Sequence, residues 1–250
     1  MGKTIPAFEV LAKALLRESC SNVFFLTGGP MSETSAAGHT LGLRMLDVRH
    51  EQAATVMAQG YSRISGKPGV AITASGPGTV NGASGLLNAF MDCVPVVLLG
   101  GSSPITKREH GVFQELDQVA LLRPFTKWAS QVVDPYRIPD MVHLAFLHAT
   151  SGRPGPVYLD FPGDVVHAPV DEALIEWSMS SPPSTITLAD PAYVKKAVAL
   201  LEKAQRPLIV VGSGLLWSRA DKAFREVVER LQIPFYTTPQ GRGAVPEDHV

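Results

Sequence analysis

The chain has 250 residues, of which 45% are hydrophobic and only 18% are charged, so it can bury a large core and is not disordered over its length. Its 22 basic and 23 acidic residues give a net charge of −1 without any basic block. This balance excludes a nucleic-acid backbone and an anionic membrane surface as expected partners.

Helices and strands are predicted to alternate along the first two thirds of the chain. Helical spacing of apolar residues predicts helices at residues 8–17, 33–41, 51–62 and 80–90. Short apolar runs predict strands at residues 23–26, 44–48, 70–74 and 94–99, the last of them buried on both faces. The same alternation continues with elements at residues 115–122, 126–132, 139–150 and 156–161. This pattern predicts an α/β fold with a doubly wound parallel sheet over residues 1–165.

A second, shorter unit is predicted after a change in composition. Residues 166–189 are expected to form a linker, because the stretch 178–187 is rich in Ser, Pro and Thr. A second α/β domain then occupies residues 190–250, with its elements predicted at 191–204, 207–212, 219–231 and 234–237. Two strands do not make an independent doubly wound sheet. We therefore expect this domain to be truncated at Val250, in a fragment or in a chain that needs a partner.

The cysteines and the N-terminus indicate the compartment. Cys20 and Cys93 are far apart and outside any C-x-x-C motif, so neither a disulfide framework nor a cysteine-based zinc site is expected. The histidine spacing suggests no metal site either. A reducing, cytoplasmic location follows, since no apolar signal segment is visible and the longest apolar run, at 94–99, is too short to span a bilayer.

Four loops follow predicted strands, at residues 27–30, 49–51, 75–78 and 100–103. In an open parallel sheet ligands bind beyond the carboxyl ends of the strands, so we expect a site built from these loops. The Ser75-Gly76-Pro77-Gly78 loop opens a helix and presents free backbone N–H groups. Its glycine spacing is one residue too long for a dinucleotide fingerprint, so an ordinary tight turn remains an equal interpretation.

Glu51 begins a predicted helix directly after a strand, and it has two interpretations. It is either a first-turn glutamate stabilised by the helix dipole, by about 0.3–1 kcal/mol, or a carboxyl at the bottom of a cleft facing residues 27–30 and 75–78. A carboxyl removed from water in such a cleft can share a proton with a heterocyclic nitrogen. The side chains expected to screen it are apolar and lie on its own helix: Ala53, Ala54, Val56 and Met57.

Several motifs occur in the order found in thiamine diphosphate enzymes of the acetolactate synthase and decarboxylase group, which the chain resembles over nearly its whole length. They include Arg49-His50-Glu51-Gln52-Ala53-Ala54, Gly60-Tyr61-Ser62-Arg63, Gly66-Lys67-Pro68-Gly69-Val70, Ser75-Gly76-Pro77-Gly78 with Asn81, Phe113-Gln114-Glu115, Ser151-Gly152-Arg153-Pro154-Gly155-Pro156-Val157 and Gly241-Arg242-Gly243. The resemblance implies a pyrimidine-binding domain at residues 1–165 and the start of a central domain at 190–250. It assigns Mg²⁺ and the diphosphate to a third domain missing here, so the isolated chain is not expected to be a competent enzyme.

The resemblance also implies roles for particular residues. Glu51 corresponds to the glutamate that hydrogen-bonds N1′ of the aminopyrimidine and favours its imino tautomer, which removes the proton from thiazolium C2. The residues implied to line the pyrimidine pocket are Pro30, Ser75, Pro77 and Asn81. Gln114, with Phe113, is implied to reach the reacting carbon from the facing subunit, and Phe113 to contribute ordinary interface packing. The site lies between subunits in this family, so a homodimer, or a homotetramer, is expected.

Other segments bear on the reaction and favour different members of the group. Gly101-Ser102-Ser103 and Leu116-Asp117-Gln118-Val119 resemble 2-hydroxyacyl-CoA lyases and oxalyl-CoA decarboxylases, whereas Phe113-Gln114-Glu115 is closer to acetolactate synthase. The first expectation is cleavage of a 2-hydroxyacyl-CoA, a small-molecule substrate, to formyl-CoA and an aldehyde or ketone. An acetolactate synthase-like or 2-oxoacid decarboxylase reaction is the alternative. A non-catalytic pyrimidine-domain scaffold, or one subunit of a split enzyme, is the third.

Overall fold

A computed structural model describes residues 2–177, 188–246 and 248–249. The chain divides into two compact units, Met1–Thr185 and Ile186–Val250. The Ser-, Pro- and Thr-rich stretch at 178–187, on which the predicted linker depends, lies outside the described residues.

The first unit contains fifteen regular elements among its described residues. Its strands are β1 Thr4–Pro6, β2 Asn22–Phe25, β3 Arg44–Asp47, β4 Gly69–Thr73, β5 Val96–Ser102, β6 Trp128–Gln131, β7 Val157–Pro162 and β8 Pro169–Asp171. Its helices are α1 Ala7–Arg17, α2 Ser32–Thr40, α3 Glu51–Ser65, α4 Pro77–Met91, α5 Gln118–Leu122, α6 Ile138–Thr150 and α7 Gly163–Val166. The predicted α/β class is confirmed, with element ends that differ by a few residues.

Six strands form one parallel sheet in the order β3-β2-β4-β5-β7-β6. The chain passes from β2 to β3 on one side and then crosses to β4 on the other side of β2. This reversal of direction is a topological switch point, the position at which open α/β sheets leave a crevice. The crevice lies at the carboxyl ends of β2 and β4.

Helices cover both faces of this sheet, because strand side chains alternate between two faces. On one face Val70, Val97 and Leu159 join a buried cluster with residues of α1 and α6. On the other face α3 and α4 pack closely, and a Cβ on Gly69 would lie 2.0 Å from the carbonyl oxygen of Ala58. The predicted two-sided burial of 94–99 is confirmed, since each of Val96–Leu99 is fully buried.

A small antiparallel ribbon, β1 with β8, joins the two ends of the first unit and was not predicted. Ile5 pairs with Val170, and both side chains are buried in the main core. Residues 166–177 belong to the segment expected as a linker, yet they include β8 and pack on the first unit. Strands of three residues are too short for their alternation to be recognised in a sequence.

The second unit contains α8 Pro191–Lys203, β9 Ile209–Val211, α9 Gly214–Ser218, α10 Asp221–Leu231 and β10 Phe235–Thr237. Its two strands are parallel, with Tyr236 opposite Val210, as the α/β pattern predicts. The short helix α9 was not predicted. No helix within the described residues combines the length and apolar character needed to cross a membrane.

Candidate active site

Three of the predicted loops lie together at the carboxyl edge of the sheet, with the end of β5 beside them; the loop predicted at 100–103 was wrong in part, because β5 continues to Ser102. The Ser75 hydroxyl is 3.4 Å from the carbonyl oxygen of Gly29, which joins the loop after β4 to the loop after β2. A Cβ on Gly101 would lie 2.4 Å from Cδ of Pro30, so the end of β5 also approaches this loop closely. The loops after neighbouring strands therefore form one continuous wall.

Glu51 is the first residue of α3, and its carboxyl group lies inside this wall. The residue is only 7% exposed, and Oε2 accepts a hydrogen bond of 3.0 Å from Nδ2 of Asn81 on α4. A Cβ on Gly78 would lie 3.1 Å from Oε1, so the glycine leaves room for the carboxyl group. These contacts favour the cleft interpretation over a solvated first-turn glutamate.

The side chains that screen Glu51 differ in part from those expected. Ala54 is fully buried, but Val56 and Met57 are 45% and 42% exposed, so the expectation that they shield the carboxyl group was wrong. The helical turn directs these two side chains away from the sheet, whereas the Glu51 side chain points towards α4. The start of α4, with Gly78 and Asn81, supplies the screening instead.

Ser75 and Gln114 form a second contact in the wall. The Ser75 hydroxyl donates a hydrogen bond of 2.7 Å to Oε1 of Gln114, whose backbone has a φ of +58°. Gln114 thus lies on the same wall as Ser75 within this chain. Pro77 occupies the first turn of α4, between Ser75 and Asn81.

Phe113, in contrast, forms no side-chain hydrogen bond or aromatic pair with these residues in the described part of the chain and points into solvent. Its side chain is 85% exposed, which is unusual for a phenylalanine and agrees with packing against another protein surface. The structure therefore brings together Glu51 with Asn81 and Ser75 with Gln114, and it leaves Phe113 outside.

Gln118 is a buried polar residue that the sequence reasoning did not single out by itself. It is 2% exposed at the start of α5, and its Oε1 accepts from the backbone N–H of Gly76. Its Nε2 lies 2.9 Å from the carbonyl oxygen of Gly101 and 2.6 Å from Oδ1 of Asp160. An aspartate within the apolar run 156–161 is the signal that could have revealed a buried network here.

The exposed surface of α3 and α4 is apolar and nearly free of charge. Its large apolar side chains, all more than two fifths exposed, are Val56, Met57, Ile64, Val80, Leu87 and Met91. Asn81, which bonds Glu51, follows Val80 directly on α4 and is also exposed. The candidate site therefore borders a surface of the kind that usually packs against protein.

No three His, Cys, Asp or Glu side chains among the described residues are grouped so as to hold a metal ion. Cys20 and Cys93 are both free thiols.

Comparison with known families agrees with this geometry. Residues 6–121 match the model of the thiamine pyrophosphate enzyme N-terminal TPP binding domain, and residues 194–250 match that of the central domain of the same enzymes. The chain belongs to the thiamine pyrophosphate-dependent enzyme family. Thiamine pyrophosphate is the compound called thiamine diphosphate above, so the resemblance found in the sequence is confirmed.

Individual relatives come from several branches of the family. The chain is 37% identical to a 2-hydroxyacyl-CoA lyase of Arabidopsis thaliana over 96% of its own length and 43% of the relative's. It is 36% identical to a "Probable acetolactate synthase large subunit" of Methanocaldococcus jannaschii, over 96% of this chain and 41% of the relative. It is 34% identical to the oxalyl-CoA decarboxylase of Escherichia coli K12, over 96% of this chain and 43% of the relative. The chain thus spans less than half the length of these relatives.

Proposed function

We propose that the protein is a thiamine diphosphate-dependent carbon–carbon lyase that cleaves a 2-hydroxyacyl-CoA to formyl-CoA and an aldehyde or ketone, or joins these products in reverse. Support comes from the likeness to 2-hydroxyacyl-CoA lyases and from the Gly101-Ser102-Ser103 segment. The substrate is accordingly an acyl-CoA.

The buried carboxyl group of Glu51 is the observation that carries this proposal. Among the described residues, none donates a hydrogen bond to its Oε1, while Asn81 donates to Oε2. Oε1 is therefore available to a ring nitrogen of the aminopyrimidine, and the missing Cβ of Gly78 leaves space beside it. The residues present fit this half of the cofactor.

The bound cofactor would supply a nucleophilic carbon and an electron sink for breaking the C–C bond. Glu51 would hold the proton at the pyrimidine ring nitrogen, a positioned proton transfer that typically contributes about 10²–10⁴-fold. Asn81 would orient the carboxyl group, and Pro30, Ser75 and Pro77 would line the ring. Gln114, held by Ser75, would reach the reacting carbon.

The diphosphate and Mg²⁺ are assigned to a domain outside this chain, as the resemblance implies. We propose that this domain comes from a second copy of the complete protein and packs on the apolar face of α3 and α4. That face adjoins the candidate site at Val80, which is next to Asn81 on α4. A homodimer, or a homotetramer, is then the working enzyme. The free thiols of Cys20 and Cys93 agree with a reducing, cytoplasmic location.

An acetolactate synthase-like reaction is the second candidate. It is favoured by the Phe113-Gln114-Glu115 motif and by the 36% identity to the archaeal relative. Decarboxylation of a 2-oxoacid belongs to the same alternative, since both begin from a 2-oxoacid rather than a 2-hydroxyacyl-CoA.

Product analysis separates these reactions. The longest natural form of the protein, with thiamine diphosphate and Mg²⁺, is incubated in turn with a 2-hydroxyacyl-CoA and with pyruvate. Formyl-CoA from the first and no acetolactate from the second supports the lyase, and the reverse pattern rejects it. A scaffold or a split subunit would form neither product, even though the Glu51 pocket is intact.

A further inference from the structure

A buried polar network lies behind the candidate site and is not used by the proposed chemistry. Its centre is Asp160 near the end of β7, which is only 2% exposed. Four side chains donate to its carboxylate at distances of 2.6–2.7 Å. These donors are Ser102, Gln118, Gln131 and Tyr158. Burial of so many polar groups is tolerated because each has a partner.

The network fixes the orientation of the Gln118 amide. A carboxylate accepts hydrogen bonds and donates none, so Asp160 requires the Nε2 end of Gln118 to face it. The carbonyl oxygen of Gly101 requires the same end. The Tyr158 hydroxyl donates to Asp160 and can accept from Nε2 as well, so Oε1 of Gln118 is directed to the Gly76 N–H. A flipped amide would place donor against donor at Gly76.

The Gly76 peptide lies at the centre of the turn between β4 and α4. Gly76 has a φ of +53°, and a Cβ there would lie 2.6 Å from the carbonyl oxygen of Gln114. The turn is therefore bonded by the Gln118 amide on one side and approached closely by the Gln114 backbone on the other. Its flanking residues, Ser75 and Pro77, are the ones proposed to line the pyrimidine.

We propose that Gln118 is a positioning residue for the cofactor: anchored by Asp160, it holds the Gly76 peptide and thereby sets Ser75 and Pro77 against the pyrimidine ring. Gln118 itself does not touch the cofactor. The inference rests on the proposed function, because it assumes that the pyrimidine binds at this turn.

Three variants test this role against mere structural support. Gln118→Met removes the acceptor for Gly76, whereas Gln118→Glu keeps that acceptor oxygen but replaces Nε2 with a second oxygen that faces the Asp160 carboxylate. Gln131→Met is the matched control, since Gln131 donates to Asp160 at 2.6 Å but has no contact with Gly76. Each variant is measured by hydrogen–deuterium exchange over residues 75–81, by its thermal midpoint, and by thiamine diphosphate titration of the longest natural form with Mg²⁺.

Gln118→Met is expected to speed exchange in residues 75–81 and weaken thiamine diphosphate binding, each by about 10-fold, because a buried N–H loses its acceptor. Gln118→Glu is expected to keep the loop more protected than Gln118→Met, even where its thermal midpoint is lower. Gln131→Met is expected to lower the midpoint and leave loop exchange and affinity unchanged.

The positioning role would be overturned if hydrogen–deuterium exchange in residues 75–81, or thiamine diphosphate affinity, changes only in proportion to the thermal midpoint across all three variants. Wild-type affinity in Gln118→Met would also overturn it, while leaving the proposed function standing. Absence of thiamine diphosphate binding by the wild-type protein would overturn both, so the two failures are distinguishable.

Discussion

At the scale of single residues, the chemistry depends on where one carboxyl group lies. Two glutamates stand in the first turn of a helix after a loop, Glu33 on α2 and Glu51 on α3. The pKa of Glu33 is lowered by its own backbone N–H and by a hydrogen bond with His167, and its side chain is half exposed. Glu51 is buried against Gly78 and Asn81 instead. The same helical position thus gives a solvated glutamate in one place and a site residue in the other.

Replacing Glu51 tests this difference. In the longest natural form, Glu51→Gln is expected to lower turnover by about 10²–10⁴-fold, because the amide cannot exchange a proton with the ring. Glu51→Asp withdraws the carboxyl group by one methylene and should also lose turnover. Glu33→Gln is the matched control, expected to keep wild-type turnover. Equal, small effects of Glu33→Gln and Glu51→Gln would mean that Glu51 is only a helix-dipole residue.

Sequence reasoning found residues whose role depends on local position and missed those that depend on distant partners. Glu51 and Ser75 lie shortly after β3 and β4, so the topology alone predicts that both stand at the carboxyl edge of the sheet. Gln118 and Asp160 are 42 residues apart, and nothing in either segment shows their contact. Val56 and Met57 were misjudged because an apolar residue on a helix does not reveal which neighbour covers it.

At the scale of elements, long periodic segments were predictable and short ones were not. Helix α3 extends past its predicted end to Ser65, where Gly66 ends it with a φ of +69°. Helix α5 begins three residues later than expected, because the Asp117 side chain accepts from the backbone N–H of Ala120 and caps it. The β1–β8 ribbon depends on pairing between the two ends of the first unit, which no local pattern encodes.

The turn after β5 offers an element-scale prediction. Asp164 in α7 accepts from the backbone N–H groups of Ile105 and Thr106 and from the Thr106 hydroxyl, at 3.0–3.2 Å. Burial pushes its pKa up, but these hydrogen bonds outweigh it and leave the pKa below the usual 3.8. The ionised form is therefore stabilised by folding, and this stability is present above pH 3.8 and lost as the pH falls through the lowered pKa.

Asp164→Asn is expected to lower the free energy of unfolding at pH 6 by about 0.5–1 kcal/mol, a modest value because the group is solvent-screened. The difference from wild type should narrow as the pH falls below 3.8. Urea denaturation at pH 6 and at a pH below 3.8 measures the difference in the free energy of unfolding between the variant and wild type. Asp140→Asn, at an exposed ion pair on α6, serves as the control with a smaller effect at pH 6. If the difference in unfolding free energy between Asp164→Asn and wild type does not change with pH, the lowered pKa of Asp164 is contradicted.

At the scale of the whole molecule, the exposed apolar surfaces require explanation. The first unit leaves Leu87 and Met91 exposed on α4, the helix whose first turns carry Val80 and Asn81 beside the candidate site. Within the second unit, α8 has no buried residue although it carries Val194, Val198 and Leu201. The chain spans less than half the length of its relatives, and exposed apolar surfaces of this kind are expected where another part of the protein packs. The composition of the chain could not predict these exposed apolar surfaces, because it does not show which apolar residues lie together on the folded surface.

Leu87→Lys tests whether the α3–α4 face joins two subunits. A lysine buried in an apolar interface loses its hydration without gaining a partner, so the longest natural form should dissociate at roughly 10²-fold higher concentration. Turnover should fall with the dimer although Glu51 is intact, because each site would lack the domain from the second copy. Sedimentation velocity over a concentration series measures the dissociation. Val133→Lys, at an exposed apolar residue outside this face, is the control and should leave assembly unchanged. An unaltered dimer in Leu87→Lys would place the subunit contact elsewhere and contradict the proposed role of this face.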